Sequence, residues 1–466
     1  MSKLSFLLLL GAAVVTPAGV QAAPQFAPSG FDLTAIDRST KAGDDFFQYA
    51  NGSYLDFAPR VGLAWDPKGD GQQSLRSSYG IFFDAPESYT NRDFALSSPW
   101  GNSVSLTAPA GGFANPYATY PGGNPFPTPY PPSKNAPFSL SGLYVNLPLD
   151  LHHMYSQQWD LSYQKQVAHN WMVSATYVGN KSVHLRSSIE ANPAIYIPGA
   201  STVANTASRR LLTRLNPAAG AYYSTITTVD DGLNTNYNAL RLNMEHRFSN
   251  NFTLLMVYTW AHCLQNAEPL ANRNSQGANY YQNPYNRNAD YGACDFDIRH
   301  NLNTSFVYDS PKFANRALDL IAGNWQLGFL ITARSGFPFN PTTGVDNSLT
   351  GVGQDRPNVV GSPYVRDTSS LVWINASAFA PNALGTFGNA GYNSLIGPSL
   401  FGFDTNLTRL FKIREHQRME LRFEFFNVLN HTNFNNPVSN LKSSAFGLIQ
   451  SAADPRILQL AAKYTF

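Results

Sequence analysis

The sequence predicts an all-β chain: an antiparallel transmembrane β-barrel, partial, of about eleven strands with long extracellular loops. Three observations predict it. Apolar residues recur with a period of two, the connections alternate between short and long, and the composition is poor in charge. Charged residues make up 13% of the 466, against roughly 25% in soluble domains. The chain carries 24 Tyr, 31 Phe, 7 Trp, 34 Gly and 31 Pro, which suits strands, loops and aromatic girdles. The clearest strand ends the chain. Leu458, Leu460, Ala462, Tyr464 and Phe466 fall on one face, and Gln459, Ala461, Lys463 and Thr465 on the other. About ten residues suffice for a tilted strand to cross a bilayer. An apolar outer face, a polar inner face and a terminal aromatic describe a barrel-closing strand. The last strand of a soluble sandwich alternates too, so the rest of the chain must decide.

The N-terminus opens with Lys3, an apolar run from Leu4 to Val15, and then Val20-Gln21-Ala22. This pattern is a secretory signal peptide over residues 1–22. The run is too short to anchor, and no later segment supplies a spanning helix, so a membrane crossing must be made by strands. Residues 23–55 do not alternate. They contain a helix start at Gly43 to Asp45 and a stop near Gly52.

From Phe57 the alternation begins. Val61, Leu63 and Trp65 share a face, and Asp66 to Gly71 is a turn. Leu75, Tyr79, Ile81 and Phe83 follow, and then a long polar stretch from about Ala85 to His152. Trp159, Leu161, Tyr163 and Val167 form the next strand, with a tight turn at 168–170 and a return through Trp171, Val173, Ala175 and Tyr177. After a second long stretch come Leu240, Leu242, Met244 and Phe248, a turn at 249–251, and Phe252, Leu254, Met256, Tyr258 and Trp260. Ile298, Leu302, Phe306 and Tyr308 precede Trp325, Leu327, Phe329 and Ile331. A third long stretch reaches about Leu400, a strand runs from Phe401 to Ile413, and Met419, Leu421, Phe423 and Phe425 form the penultimate strand.

The links at 66–71, 168–170, 249–251 and 414–417 are tight, that at 310–323 is moderate, and the others are long. Outer-membrane barrels sort their turns this way, and a sandwich has no reason to. Charges sort as well. Arg76, Arg241, Arg247, Arg299, Arg334, Arg418, Arg422 and Lys463 lie opposite the aromatics, toward a wet interior. Lys165 and Arg409 break the pattern near strand ends. The expected location is the cell outer membrane, with its lipid as one partner and the barrel-assembly machinery, acting on the C-terminal strand, as another. A net charge of +2 points to no nucleic acid.

Two family resemblances extend this reading. Lys41-Ala-Gly-Asp-Asp-Phe-Phe and Tyr49-Ala-Asn-Gly resemble the start of mature neprilysin-type zinc metallopeptidases. The resemblance stops near Leu55, and none of the nine His lies in the His-Glu-x-x-His run that such a centre needs. Residues 23–55 are therefore read as a non-catalytic leader, and no enzymatic activity and no catalytic, cofactor-binding or metal-binding residue is expected anywhere in the chain. Residues 56–466 resemble the C-terminal half of TonB-dependent receptors of the Oar-like type. The resemblance rests on Phe57-Ala-Pro-Arg-Val-Gly-Leu-Ala-Trp-Asp-Pro, Tyr177-Val-Gly-Asn-Lys, Asn236-Tyr-Asn-Ala-Leu, Tyr258-Thr-Trp and Asp297-Ile-Arg-His. Ser335-Gly-Phe-Pro-Phe, Arg356-Pro-Asn-Val-Val-Gly, Gly385-Thr-Phe-Gly-Asn-Ala-Gly, Glu424-Phe-Phe-Asn-Val-Leu-Asn-His and Asp454-Pro-Arg-Ile-Leu-Gln-Leu complete it. It implies a plugged 22-stranded barrel energised by TonB that takes up bulky nutrients, metal chelates or glycans. The plug, the TonB-contact segment and the first half of the barrel have no counterpart in this sequence, so the expectation is a truncated receptor without established TonB coupling.

The alternative function is a surface-display or adhesion protein of the outer membrane that does not transport. Eleven strands with both ends toward the periplasm close only by a parallel pair; otherwise two edges stay open to edge-to-edge self-association. Cys263 and Cys294 flank a polar loop and are either a disulfide, as export allows, or two unrelated thiols. Arg418, Glu420, Arg422 and Glu424 form a lumenal charge ladder, read as cross-strand salt bridges rather than a substrate site. His152-His153 reads as a solvated pair rather than a metal site. The ligand is unknown, and loops 85–152 and 336–400 are the expected contact surfaces.

Overall fold

Every segment with two-residue alternation becomes a strand, and the strands pair in sequence order. β1 (Arg60–Trp65), β2 (Gln73–Phe83), β3 (Tyr155–Ala168), β4 (Trp171–Glu190), β5 (Ile226–Ser249) and β6 (Phe252–Gln265) come first. β7 (His300–Asp309), β8 (Trp325–Arg334), β9 (Leu400–Lys412), β10 (Arg418–Phe426) and β11 (Ile457–Thr465) follow. All neighbours are antiparallel. The computed structural model describes residues 57–84, 106, 108–120, 122–124, 126, 144–148, 150–249, 251–266, 281–414 and 416–466. The signal peptide over 1–22, the leader over 23–55, most of the loop 85–152, Asn250 and Glu415 lie outside them.

The register shows a two-faced wall. One row runs Trp65, Leu75, Tyr163, Ala175, Leu242, Tyr258, Leu302, Ala333, Phe401 across nine strands. The adjacent row, one residue along, runs Arg76, Ser162, Thr176, Arg241, Thr259, Asn301, Arg334. A shift of one residue flips every side chain, so the two rows lie on opposite faces. On the apolar face Leu161, Leu242 and Trp260 remain 49%, 41% and 51% exposed. In a sandwich that face would be the core between two sheets; here no second sheet among the described residues covers it. The alternation is imperfect, since Leu255 and Leu330 stand exposed on the polar face.

An aromatic band crosses the apolar face. Trp171 and Phe252 rings lie 6.2 Å apart, Phe252 and Phe306 5.8 Å, Phe306 and Phe329 4.7 Å, and Phe329 and Phe403 5.9 Å. His246 fills the gap in this band, stacked 4.0 Å from Phe252, with its ring nitrogens bonded to the Phe252 carbonyl and the Ser249 hydroxyl. Gly179, in the Tyr177-Val-Gly-Asn-Lys run, leaves room for the Trp159 ring of β3; a Cβ there would meet the indole at 2.1 Å.

Among the described residues β1 pairs only with β2, and β11 only with β10. The closing role expected of Leu458, Leu460, Tyr464 and Phe466 is therefore not seen. All four are exposed, on a strand with one neighbour. The reason is topological: β1 and β11 both run from the long-loop end to the short-turn end, so a direct pair would be parallel.

At the short-turn end, the 310–323 link folds into a helix, Arg316–Ala322, whose first N–H groups donate to the Asn315 side chain. Trp325 donates its indole N–H to the Ile321 carbonyl at 2.8 Å. Arg409, which breaks the charge pattern, reaches this helix. It bonds the Leu320 carbonyl and lies 5.0 Å from the Trp325 ring and 4.7 Å from the Phe411 ring. Aromatic faces and a helix-end carbonyl thus partly compensate a cation on the apolar face. Among the described residues no helix is long and apolar enough to cross a membrane, which says nothing of strands.

The strands outrun the expected boundaries. β5 has 24 residues; at ~3.3 Å per residue that is roughly 80 Å, against ~30 Å of hydrocarbon. β4 and β5 therefore project well beyond any bilayer at the long-loop end.

Candidate functional site at the long-loop end

The fully buried side chains gather beyond the wall. Leu233, Ile374, Gln265, Gln282, Glu190, Asn192, Asp355 and Cys294 head them, all from the upper strands or the long connections. The third connection, 336–400, read from sequence as an open loop, instead folds into a layer. Pro338–Phe339 pairs with Leu395–Ile396, Asn358–Val359 with Phe379–Ala380, and Tyr364–Asp367 with Val372–Ile374. Ile374, Ala378, Phe379, Leu395 and Phe446 form its apolar core. Short two-residue ladders and Gly- and Asn-rich turns carry no strong periodicity, which is why the sequence did not reveal them.

Four buried polar clusters hold this end: one between the layer, or cap, and the 266–299 connection, two between the upper strands and their own connections, and one within the layer. Arg356 Nη1 sits 2.6 Å from Asp290 Oδ1, with both side chains about 5% exposed. Its other nitrogens donate to the carbonyls of Ala289 at 2.7 Å and Ala390 at 2.8 Å. Asp290 also accepts from the Gln282 N–H at 2.8 Å, and Gln282 Oε1 accepts from the Arg356 N–H at 2.8 Å. The motif Arg356-Pro-Asn meets the motif Gly385-Thr-Phe-Gly-Asn-Ala here. Gly388 has no room for a Cβ, which would lie 1.9 Å from the Arg356 carbonyl; the Asn358 side chain accepts from the Asn389 N–H at 3.0 Å, and the Asn389 side chain accepts from the Val359 N–H at 2.7 Å.

The second cluster centres on Asp230, which accepts from Ser187 at 3.1 Å, Tyr281 at 3.0 Å, the Gly232 N–H at 3.1 Å, and Arg287. Burial and then the Asp230 carboxylate push the Tyr281 phenol far above its ordinary value, so it stays a donor. In the third, Glu190 takes the N–H groups of Asn192 and Ile226 at 2.8 and 3.0 Å, with Arg210 at 3.5 Å. Burial raises this carboxyl despite those donors. In the fourth, Asp355 accepts from the Ser348 N–H at 2.6 Å and Asn382 at 3.1 Å, and its second oxygen has no hydrogen-bond partner. Burial raises it too, and Asp346 adds to the effect.

Cys263 and Cys294 are disulfide-bonded, with Cα atoms 5.4 Å apart. The bond sits at the rim, where Asp297 of the Asp297-Ile-Arg-His run accepts from the Cys263 N–H at 2.8 Å and meets His262 at 3.0 Å. The ladder Arg418, Glu420, Arg422, Glu424 lies in β10, far from the cap. Arg422 bonds Glu420 at 2.6 Å and Glu424 at 3.4 Å, both within its own strand. The expected cross-strand pairing is corrected for Arg422: its register partners are Ala461 and Thr408, which carry no charge. His152 and His153 are both exposed, as a solvated pair would be, and His152 has further partners. It bonds Asp231 at 2.7 Å and stacks on His184. Neither His184 nor Asp231 carried a signal in the sequence, because register breaks bring them there.

These groups have structural chemistry: buried charges fix the 266–299 connection to the 336–400 layer and to β5, and the 191–225 connection to β4, so the described part of this end is a built surface. Its ends are held as well. Asn427 donates to the His431 carbonyl at 2.9 Å and accepts from the His431 N–H at 2.9 Å, while its own N–H donates to Asp404 at 2.8 Å.

The family model described as "Outer membrane beta barrel domain" matches residues 17–459. No curated protein matches the chain. Similar solved structures include the outer membrane transporter YddB from Escherichia coli, 11% identical, covering 88% of this chain and 41% of that one, TM-score 0.49. The siderophore receptor PiuA from Acinetobacter baumannii is 9% identical, covering 88% and 35%, TM-score 0.40. The FrpB iron transporter from Neisseria meningitidis is 9% identical, covering 88% and 38%, TM-score 0.40. The chain spans about two-fifths or less of the length of these three proteins.

Proposed function

The chain belongs to the outer-membrane β-barrel domain family, and from that premise we propose that it is a receptor-type barrel wall whose cap faces outward and recognises a ligand at the cell surface. The single observation that supports this most is the pairing of an uncovered apolar face with a cap that holds the buried charges. Lipid accounts for the first and an extracellular recognition surface for the second. The Oar-like TonB-dependent type, export through residues 1–22, a non-catalytic leader over 23–55 and handling of β11 by the assembly machinery belong to the same reading.

One observation favours the second function, display or adhesion without transport. A wall whose two edge strands each have one neighbour among the described residues does not enclose a selective channel, and edges in lipid need a partner strand. Edge-to-edge self-association would supply it.

The test is fractionation followed by uptake. The reading expects outer-membrane localisation, cap cleavage by protease added to whole cells, and loss of accumulation of at least one labelled metal chelate or glycan in a deletion strain. Accumulation that ceases when the TonB system is removed would support energised transport. Outer-membrane localisation with unchanged uptake throughout would favour display, and absence from the outer membrane would sink both.

A further inference from the structure

We propose that His152, His184 and Asp231 form a binding site for one divalent transition-metal ion, of the class of Zn²⁺, Cu²⁺ or Ni²⁺. The proposal does not rest on the transport reading. One ligand atom from each residue lies within 4.8 Å of the other two. His152 Nδ1 is 2.7 Å from Asp231 Oδ2, and the two imidazole rings stack with centroids 4.6 Å apart.

The backbone is shaped for this meeting. Between the pairs Ser182↔Thr235 and Leu185↔Leu233, β4 carries Val183 and His184 against Asn234 alone. Between Leu185↔Leu233 and Ser187↔Asp230, β5 carries Asp231 and Gly232 against Arg186 alone. These are two single-residue bulges on facing strands, and each delivers one member of the trio. Bulges re-aim side chains and gather next to functional sites. His184 also holds a left-handed backbone, φ 59°, which a non-glycine residue adopts only when its surroundings impose it. The third member arrives from the segment before β3, held by the His152 N–H donating to Asp231 at 2.9 Å.

A simple hydrogen bond between His152 and Asp231 explains two of the three residues. It leaves unexplained why β4 strains His184 to bring a second imidazole against the first. Two imidazoles and a carboxylate suit borderline first-row ions; calcium and magnesium prefer all-oxygen sets. Three protein ligands leave positions open. The trio borders a cleft of about 730 Å³ lined also by Asn234, Tyr285, Arg287 and Asn288, so water or an external donor can complete the shell.

The test uses the full chain, purified from outer membranes without a polyhistidine tag and stripped with a chelator. Zn²⁺ is titrated calorimetrically, and Co²⁺ is followed by its d–d absorption. The expected result is one equivalent bound. Outer-shell changes alone cost ~10–100-fold in affinity, so His184→Ala and Asp231→Asn should each weaken binding by about 100-fold or more. His169→Ala, in the turn at the opposite end of β3, should leave it unchanged. A wild-type measurement guards against misfolded variants: bound Zn²⁺ should protect His152 and His184, but not His169, from carbethoxylation. Absence of saturable binding, binding that survives both substitutions, or imidazoles modified equally with and without the ion would overturn the proposal.

Discussion

Removing Arg356 is the sharpest test of the cap. Its guanidinium pairs with Asp290 at 2.6 Å and satisfies the carbonyls of Ala289 and Ala390. Arg356→Ala strands the Asp290 carboxylate at about 5% exposure and leaves both carbonyls without that donor. Breaking a buried pair on one side costs about 3–5 kcal/mol. At 1.4 kcal/mol per decade, the cap segments should open roughly 10²–10³·⁵ times more often. Hydrogen exchange by mass spectrometry on the protein in lipid vesicles reads this directly. Peptides over 282–290 and 356–390 should lose protection by that factor, while those of β5 and β6 should not change. The double variant Arg356→Met, Asp290→Leu removes both charges and should recover most of the loss. If Arg356→Ala leaves exchange in 356–390 within threefold (~0.7 kcal/mol) of wild type, the pair does not hold the cap and the argument fails.

Three further outcomes follow from the same structure. Leu242→Lys places a charge on the uncovered apolar face and should cost ~2–4 kcal/mol if it sits near the midplane, whereas Asn243→Lys, on the other face, should cost about nothing; urea unfolding in vesicles separates the two, and equal effects would contradict the face assignment. Cys263→Ala with Cys294→Ala opens a loop with a sequence separation of 31 and should lower stability by ~3–4 kcal/mol, seen as faster proteolysis between residues 264 and 293. Burial raises Asp355 above its ordinary 3.8, so its favourable contribution is full below that value and is lost as pH rises through the folded-state value. Asp355→Asn should therefore protect amides 343–355 better at neutral pH and flatten their pH dependence; an unchanged profile would refute the assignment.

The wall was largely legible because a strand in lipid has one rule, apolar out and polar in, and a period of two writes that rule into the chain. Tyr163, Leu242 and Tyr258 could be placed on one face from spacing alone, and so could Arg76, Arg241 and Arg334 on the other. Turn residues at 66–71 and 168–170 marked the short links. The cap was not legible. Its ladders are two to four residues long, and its stability comes from buried polar and charged groups that meet across distant segments, such as Arg356 with Asp290 and Tyr281 with Asp230.

By itself, then, the sequence determined which residues alternate, where the chain turns back, and which face lipid can wet. These are local properties, set within a few residues. Only the tertiary structure decided that β1 and β11 each keep a single neighbour among the described residues, that 336–400 is a packed layer, and that paired bulges carry His184 and Asp231 to His152. The physical reason is range. Strand alternation is a contest between neighbours and solvent, whereas edges, caps and convergent side chains depend on the register of whole strands, which no short window of sequence contains.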